Sequence, residues 1–261
     1  SQLLCCIVHC AVIINLNMNL IVIVRMIKKK MKSILNKIGR LIYLIIPSEF
    51  KSNLTLQTKI NDNLVEETFN NFKEHFKKSL ILEDTSDVRE YAIKTSLLND
   101  KDKEYYYLEF GVYQGTTANY FSKYVNKLYA FDSFEGIEED WMGTSLMKGS
   151  MDLNKKVPKL NSNIEPVVGW VEDTLEDFLK KHNPKINFVH LDMDTYSPTK
   201  FTLEKLKPYL VKNAIILFDE LYNFVGWEHG EYKALKEVFK EDEFEYKAFA
   251  LNSVRCAIQI K

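Results

Sequence analysis

Cysteine is scarce and badly placed for pairing: there are four among 261 residues, with Cys5, Cys6 and Cys10 in the first ten positions and Cys256 near the end. No CxxC spacing and no paired framework exists, which excludes a disulfide-stapled scaffold and makes a reducing compartment the default. Glycine (9) and proline (6) are too few for a low-complexity linker, and no internal repeat is visible. A large net charge is lacking too, since 35 basic residues face 36 acidic ones. What is present is ordinary for a folded protein. The length suits one catalytic-size domain plus an appendage, while 46% apolar and 27% charged residues exclude a wholly disordered chain and a polytopic membrane protein.

The near-neutrality hides a division. Residues 1–51 carry eight Lys or Arg against Glu49 alone, a charge of +7 that leaves −8 for residues 52–261. Such a split points to parts with different partners. The acidic remainder is a poor surface for phosphate backbones, so nucleic acid is not an expected partner. Leu3 to Val24 is a 22-residue run broken only by His9, Asn15, Asn17 and Asn19, with Arg25 and Lys28 to Lys30 after it. It is long enough to span a bilayer, and the trailing positive cluster would leave the bulk of the protein cytoplasmic, associated with that face of the membrane. It has neither the basic start nor the small-residue cleavage site of a signal peptide. A second reading is that part of this leader is not native, because Met26 or Met31 would make ordinary starts and three Asn with a His are costly in hydrocarbon. Next, Ile34, Leu35, Ile38, Leu41, Ile42 and Ile45 recur at helical spacing among Lys32, Lys37 and Arg40, a basic amphipathic helix ended by Pro47 and Ser48. Residues 1–46 could thus contact an anionic membrane, or the helix could pack on its own domain or a second subunit of a homo-oligomer.

Residues 52–100 read as a helical cap, with two helices on Val65, Phe69, Phe72, Phe76 and on Val88, Tyr91, Ala92, Ile93. From 101 to 261 short apolar runs alternate with helical stretches. Strands are expected at 105–110, 128–131, 164–168, 186–191 and 214–218, separated by helices at 116–125, 174–182 and 198–210. A last helix over 231–239 precedes two neighbouring antiparallel runs, 244–251 and 254–260. The alternation predicts an α/β, Rossmann-like sheet, mainly parallel with an antiparallel last strand and helices on both faces. Ligands bind such sheets beyond the carboxyl ends of the strands.

The first of those ends reads Leu108-Glu109-Phe110-Gly111-Val112-Tyr113-Gln114-Gly115. Gly111 and Gly115 permit a tight turn and a close backbone approach to a ligand. The pattern is not GxGxxG, and Tyr113 would obstruct a dinucleotide pyrophosphate, which counts against a nicotinamide-dependent oxidoreductase. Glu109 suits a ligand bearing ammonium or sulfonium better than phosphates. The second strand ends in Phe131-Asp132-Ser133, placing a carboxylate where ribose hydroxyls of a nucleoside would be accepted.

The runs LEFGVYQG, YAFDSFEG, VHLDMDTYSPT and ILFDELYNFVGW, in this order, resemble the macrocin O-methyltransferase family, which includes novobiocin-type sugar O-methyltransferases. The resemblance covers roughly residues 80–260. It implies a class I enzyme using S-adenosyl-L-methionine, with Glu109, Gly111, Gly115, Asp132, Ser133, Gly169, Trp170 and Asp192 around the cofactor and Trp170 flanking the adenine. The residues themselves add a cluster of acids: Asp192 and Asp194 end one strand, Asp219 and Glu220 another, with no Lys or Arg among them. Like charges that close must be protonated or share a cation, and hard oxygen ligands fit Mg²⁺, with Mn²⁺ or Ca²⁺ as alternatives. In the resembling family, acids matching Asp192, Asp219 and Glu220 hold the metal, and the one matching Asp194 takes the proton of a hydroxyl acceptor.

Other polar residues receive structural readings. Ser197 is the expected N-cap ahead of Pro198, and Asp173 with Glu176 a capping pair. His190 reads as a core histidine, His229 as the more functional one. The long aperiodic stretch 137–160, with Tyr222, Trp227 and His229, is expected to shape the pocket of a small-molecule acceptor, a sugar or secondary-metabolite hydroxyl by resemblance. A non-catalytic, membrane-tethered nucleoside-binding module is the remaining alternative.

Overall fold

A computed structural model describes residues 30–31, 34–102 and 104–261. The apolar run Leu3–Val24 and most of the basic cluster lie outside the described residues. Among those described, no helix is long and apolar enough to cross a membrane. The chain divides into two compact units at Asn61/Asp62. The first contains helix α1, over 34–45, whose Ile34, Ile38, Leu41, Ile42 and Ile45 are exposed. Pro47 marks the break after α1, as its ring cannot continue a helix. A second helix then starts at once: α2 spans Ser48–Phe76. The unit boundary falls inside α2.

Residues 62–261 hold one eight-stranded sheet. Its elements are β1 (Leu80–Leu82), α3 (Thr85–Asn99), β2 (Tyr106–Phe110), α4 (Thr116–Phe121), β3 (Leu128–Asp132), β4 (Ile164–Val168), α5 (Val171–His182), β5 (Ile186–Leu191), α6 (Tyr196–Leu206), β6 (Leu210–Phe218), α7 (Glu231–Val238), β7 (Phe244–Ala250) and β8 (Cys256–Ile260). The strand order is β1-β7-β8-β6-β5-β2-β3-β4, and only β8 runs against its neighbours β6 and β7. This is the Rossmann-like sheet with an antiparallel last strand that the sequence predicts. The expected helical cap is corrected in one respect: Leu80–Leu82, inside it, pair with Ala248–Ala250 as an edge strand. Three residues are too few for a period of two to declare itself.

Side chains sort by that period. Ile215 and Leu217 of β6 pack toward α3 and α4, while Ile216 and Phe218 pack toward α5, α6 and α7. Burial on both faces explains why β5 and the end of β6 read as continuous apolar runs. Two cap expectations fail. Thr195 is the N-cap of α6, so Ser197 sits inside the helix, where its N–H and hydroxyl both donate to Glu139. Helix α5 begins at Val171, which places Asp173 in its first turn, favourable for the helix dipole, and leaves Glu176 to pair with Lys205.

Connections run outward from β2 in two directions, to β3 and β4 on one side and to β5 on the other, so the sheet reverses order between β2 and β5. Crevices of this kind are where open sheets take ligands. Phe72 of α2 anchors the neighbouring face. It is fully buried, and its ring lies 5.5–5.6 Å from those of Tyr222, Trp227, Tyr232, Tyr246 and Phe249. Phe72→Ala is expected to remove about 3–5 kcal/mol of stability, measured by chemical denaturation. Phe69→Ala, at a position 58% exposed, is the control and should stay within about 0.5 kcal/mol.

Candidate active site

Pairing of Phe110 with Leu191 sets Gly111 beside Asp192 just past the ends of β2 and β5. The Asp192 N–H donates to the Phe110 carbonyl at 2.9 Å, and the Gly111 N–H to that of Phe131 at 3.0 Å. Gly111 has φ +83°, and a Cβ there would lie 1.7 Å from the Asp192 carbonyl oxygen, so no other residue fits. Asp132 fastens the following loop: its Oδ2 accepts the N–H groups of Val112 (2.7 Å) and Tyr113 (2.8 Å), and its Oδ1 that of Phe134 (2.7 Å).

A cavity of about 280 Å³ opens at this crevice, walled by Gly111, Asp132, Ser133, Gly169, Trp170 and Asp192, with Asp194 and Glu220 at one end. The structure thus brings most of the sequence-predicted residues together. Three fall elsewhere. Glu109 is fully buried within the sheet layer, bonded by the Thr117 hydroxyl, because β2 turns it toward α4 and not along the strand axis. Gly115 caps α4 and faces Leu160 and Pro158. Asp219 points away from the cavity into a cluster of cations.

That cluster is the main thing the sequence concealed. Asp219 Oδ1 accepts Arg89 (2.8 Å), Arg255 Nε (2.7 Å) and His190 Nε2 (3.3 Å), and its Oδ2 accepts the second Arg255 nitrogen. Burial opposes the Asp219 charge, but His190, Arg89 and Arg255 hold its carboxyl well below the usual range. On its other side His190 Nδ1 lies 3.5 Å from Glu109. Burial works against a charged imidazole, yet the bonds to Asp219 and Glu109 outweigh it and lift His190 to about 10. His190 is therefore a core residue, but an ionised one. Arg89 was legible in principle, a cation sharing helical spacing with the buried Ala92, Ile93 and Ser96. For Arg255, in the turn before β8, no local signal exists.

The remaining acids are less well partnered: Asp192 and Asp194 have no ion pair among the described residues, and Glu220 Oε1 lies 4.0 Å from Arg255. One oxygen from each of Asp192, Asp194 and Glu220 lies within 4.8 Å of the others. Glu220 Oε2 is buried without a hydrogen bond. Behind it, the fully buried Glu231 accepts the Glu220 N–H at 3.0 Å. Glu231 shares the buried stripe of Ala234 and Leu235 on α7, a pattern the sequence displays. Burial, then the charge of Asp219, pushes Asp192 up to about 7; burial, then Asp192, pushes Asp194 up to about 8. Glu220 and Glu231 are raised well above their ordinary range by burial and by Asp219. Desolvated carboxylates with an orphaned oxygen suit a hard divalent cation.

A second cavity, about 310 Å³, shares Asp194 with the first and is walled by Glu139, Asp140, Trp141, Tyr196, Phe224 and His229. The segment 137–160 closes over it. Glu135 bridges Asp152, and Gly143 packs so tightly on Val225 that a Cβ would lie 1.6 Å from its carbonyl oxygen. Tyr222 and Trp227, expected at this pocket, are instead part of the core around Phe72.

Residues 108–221 match the family described as a methyltransferase domain. Among curated proteins none matches the chain. Among solved structures, the calicheamicin methyltransferase CalS11 is similar at a TM-score of 0.54 and 22% identity, over 82% of this chain and 94% of that one. The O-methyltransferase NovP gives 0.44 and 16%, over 67% and 78%. An O-methyltransferase from Bacillus cereus in complex with SAH gives 0.45 and 12%, over 83% and 93%. Residues 108–221 are thus similar to a methyltransferase domain, and the chain shares its fold with the CalS11 structure.

The raised carboxyls fix the sign of a pH effect. With Asp192 and Asp194 at about 7 and about 8 in the folded chain against 3.8 ordinarily, the folded state binds protons that the unfolded chain has released. Their contribution is present in full below the unfolded value and is lost as pH rises through the folded ones. The melting temperature of the protein in chelator should fall between pH 5 and pH 9, and Mg²⁺ at the alkaline end should restore it. A flat or rising profile in differential scanning calorimetry would contradict this.

Proposed function

We propose that the protein transfers a methyl group from S-adenosylmethionine to a hydroxyl of a sugar or small secondary metabolite, assisted by Mg²⁺ or Mn²⁺. The observation that carries this reading is Asp194, a buried carboxyl on the wall common to two adjoining cavities. One cavity has the turn and aromatic wall suited to a nucleoside; the other has room for an acceptor.

When bound, S-adenosylmethionine supplies an electrophilic methyl carbon whose bond to sulfur breaks as the acceptor oxygen bonds to it. Asp132 and Ser133 stand at the ribose position, and Trp170, which starts α5, flanks the adenine. Asp132 does this while bound to three backbone N–H groups, so its orientation is fixed before any ligand arrives. Asp192 and Glu220 would hold the cation, whose positive charge favours loss of the hydroxyl proton. Asp219, expected as a third ligand, stays with Arg89 and Arg255. Asp194 takes the proton; it lines both cavities, and a carboxyl pushed up to about 8 is a stronger base than a solvated one.

Calorimetry with S-adenosylhomocysteine, before and after chelation and Mg²⁺ return, tests the reading; no binding in either state would sink it. Asp194→Asn is expected to lower kcat by about 10²–10⁴-fold with little change in cofactor affinity. Unaltered turnover would remove Asp194 as the base.

We further place residues 1–46 at the cytoplasmic face of a membrane, supported by the exposed apolar residues of α1 beside Lys37 and Arg40. Co-sedimentation of the full chain with vesicles containing anionic lipid, absent with neutral vesicles, is expected. Self-association in sedimentation velocity without vesicle binding would favour a homo-oligomer through the same segment.

A further inference from the structure

Glu231 takes no part in the proposed transfer, yet it is fully buried beside the acids that do. The backbone after β6 shows what it is for. The Asp219 N–H donates to the Leu191 carbonyl at 2.9 Å, and the Leu221 N–H to the Val254 carbonyl at 3.0 Å, in the turn before β8. Between these two anchors the Glu220 N–H has no backbone partner and donates instead to Glu231 Oε2 at 3.0 Å. A buried N–H must be paired, so a side chain from α7 stands in for a strand. Burying a carboxyl costs free energy that a leucine, on the stripe shared with Ala234 and Leu235, would not, so the oxygen is what the position requires. The first turn of α7 favours an acid as well, but an exposed one would serve the helix dipole equally.

The effect falls on the Glu220 side chain. Its Oε1 lies 4.0 Å from Arg255, and its Oε2 is buried without a hydrogen bond. The direction of this carboxylate is therefore set by its own backbone and by the flank of Arg255, and Glu231 fixes the backbone. One oxygen from each of Asp192, Asp194 and Glu220 lies within 4.8 Å of the others, a group that does not include Glu231. Gly230, next to Glu231, packs on the other arm of that group: a Cβ there would lie 3.8 Å from the Asp194 carbonyl oxygen. The first turn of α7 thus meets the chain at both Asp194 and Glu220. Residues that orient a metal ligand from behind commonly govern affinity for the ion as strongly as the ligands do.

We propose that Glu231 is a positioning residue for the divalent cation: by accepting the Glu220 N–H it aims the Glu220 carboxylate at the oxygens of Asp192 and Asp194, where the cation is held. The inference rests on the cation-assisted reading above. Glu231 acts by its reach and its acceptor atom, not by its charge, and two conservative variants separate these. Titration of the full chain with Mn²⁺, read by electron paramagnetic resonance of the free ion, is the test. Glu231→Gln keeps an acceptor oxygen at the same reach and should bind Mn²⁺ within about threefold of the unaltered protein, whereas Glu231→Asp keeps the acid but loses the reach and should bind about tenfold or more weakly. Affinity for S-adenosylhomocysteine, read by calorimetry, should be the same in all three proteins, since Glu231 does not line the cofactor cavity. Equal Mn²⁺ affinity in both variants, or a loss in Glu231→Gln that Glu231→Asp does not share, overturns the assignment. So does a parallel loss of S-adenosylhomocysteine binding in Glu231→Asp, which would make Glu231 a support of the fold at large. Absence of Mn²⁺ binding to the unaltered protein overturns the cation reading beneath the proposal.

Discussion

The interaction on which the site depends is the seizure of one carboxylate by three cations. Asp219, clamped by Arg89, Arg255 and His190, joins α3, β5, the end of β6 and the turn before β8. A buried carboxylate with one guanidinium removed would be an uncompensated charge costing about 3–5 kcal/mol. With all of them present it is an anchor. It also divides the acids by role. Asp219 takes most of the positive charge, while Asp192 and Asp194 are left short of it and Glu220 meets only the flank of Arg255, at 4.0 Å.

From this division comes the chemical character of the crevice. Carboxyls that keep their protons without a partner and lose them to one are suited to a site that must both bind a cation and receive a proton. The −8 of the catalytic part is thus not spread as a solvated coat: several of its charges are buried where strands end.

Much of this was legible in the chain. The α/β alternation located the main strands, since residues buried on both faces form apolar runs, and the antiparallel last pair followed from its short connection. Gly111, Asp132, Asp192 and Asp194 were legible because a strand end is a fixed place whatever the rest of the fold does. What escaped depended on direction or distance. Glu109 lies next to Phe110, yet the pleat sends it into the helical layer and away from the ligand. Arg255 meets Asp219 from 36 residues away, and no periodicity records that meeting. Ser197 satisfied the rule for an N-cap, but the helix began earlier and Glu139, from the distant loop, took its hydroxyl. The edge strand Leu80–Leu82 was too short to show a period at all.

The position of β8 has a consequence for how the molecule is made. It follows β7 in sequence, yet it sits between β6 and β7, which have no direct hydrogen bonds to each other. During synthesis, therefore, β7 can join β6 only through β8, and Asp219 lacks one of its three cations until Arg255 leaves the ribosome. Completion of the sheet and completion of the Asp219 cluster are one event. A chain stalled before Cys256–Ile260 would hold an open β6 edge and an unquenched buried charge, a species that should be recognised by chaperones and not by substrate.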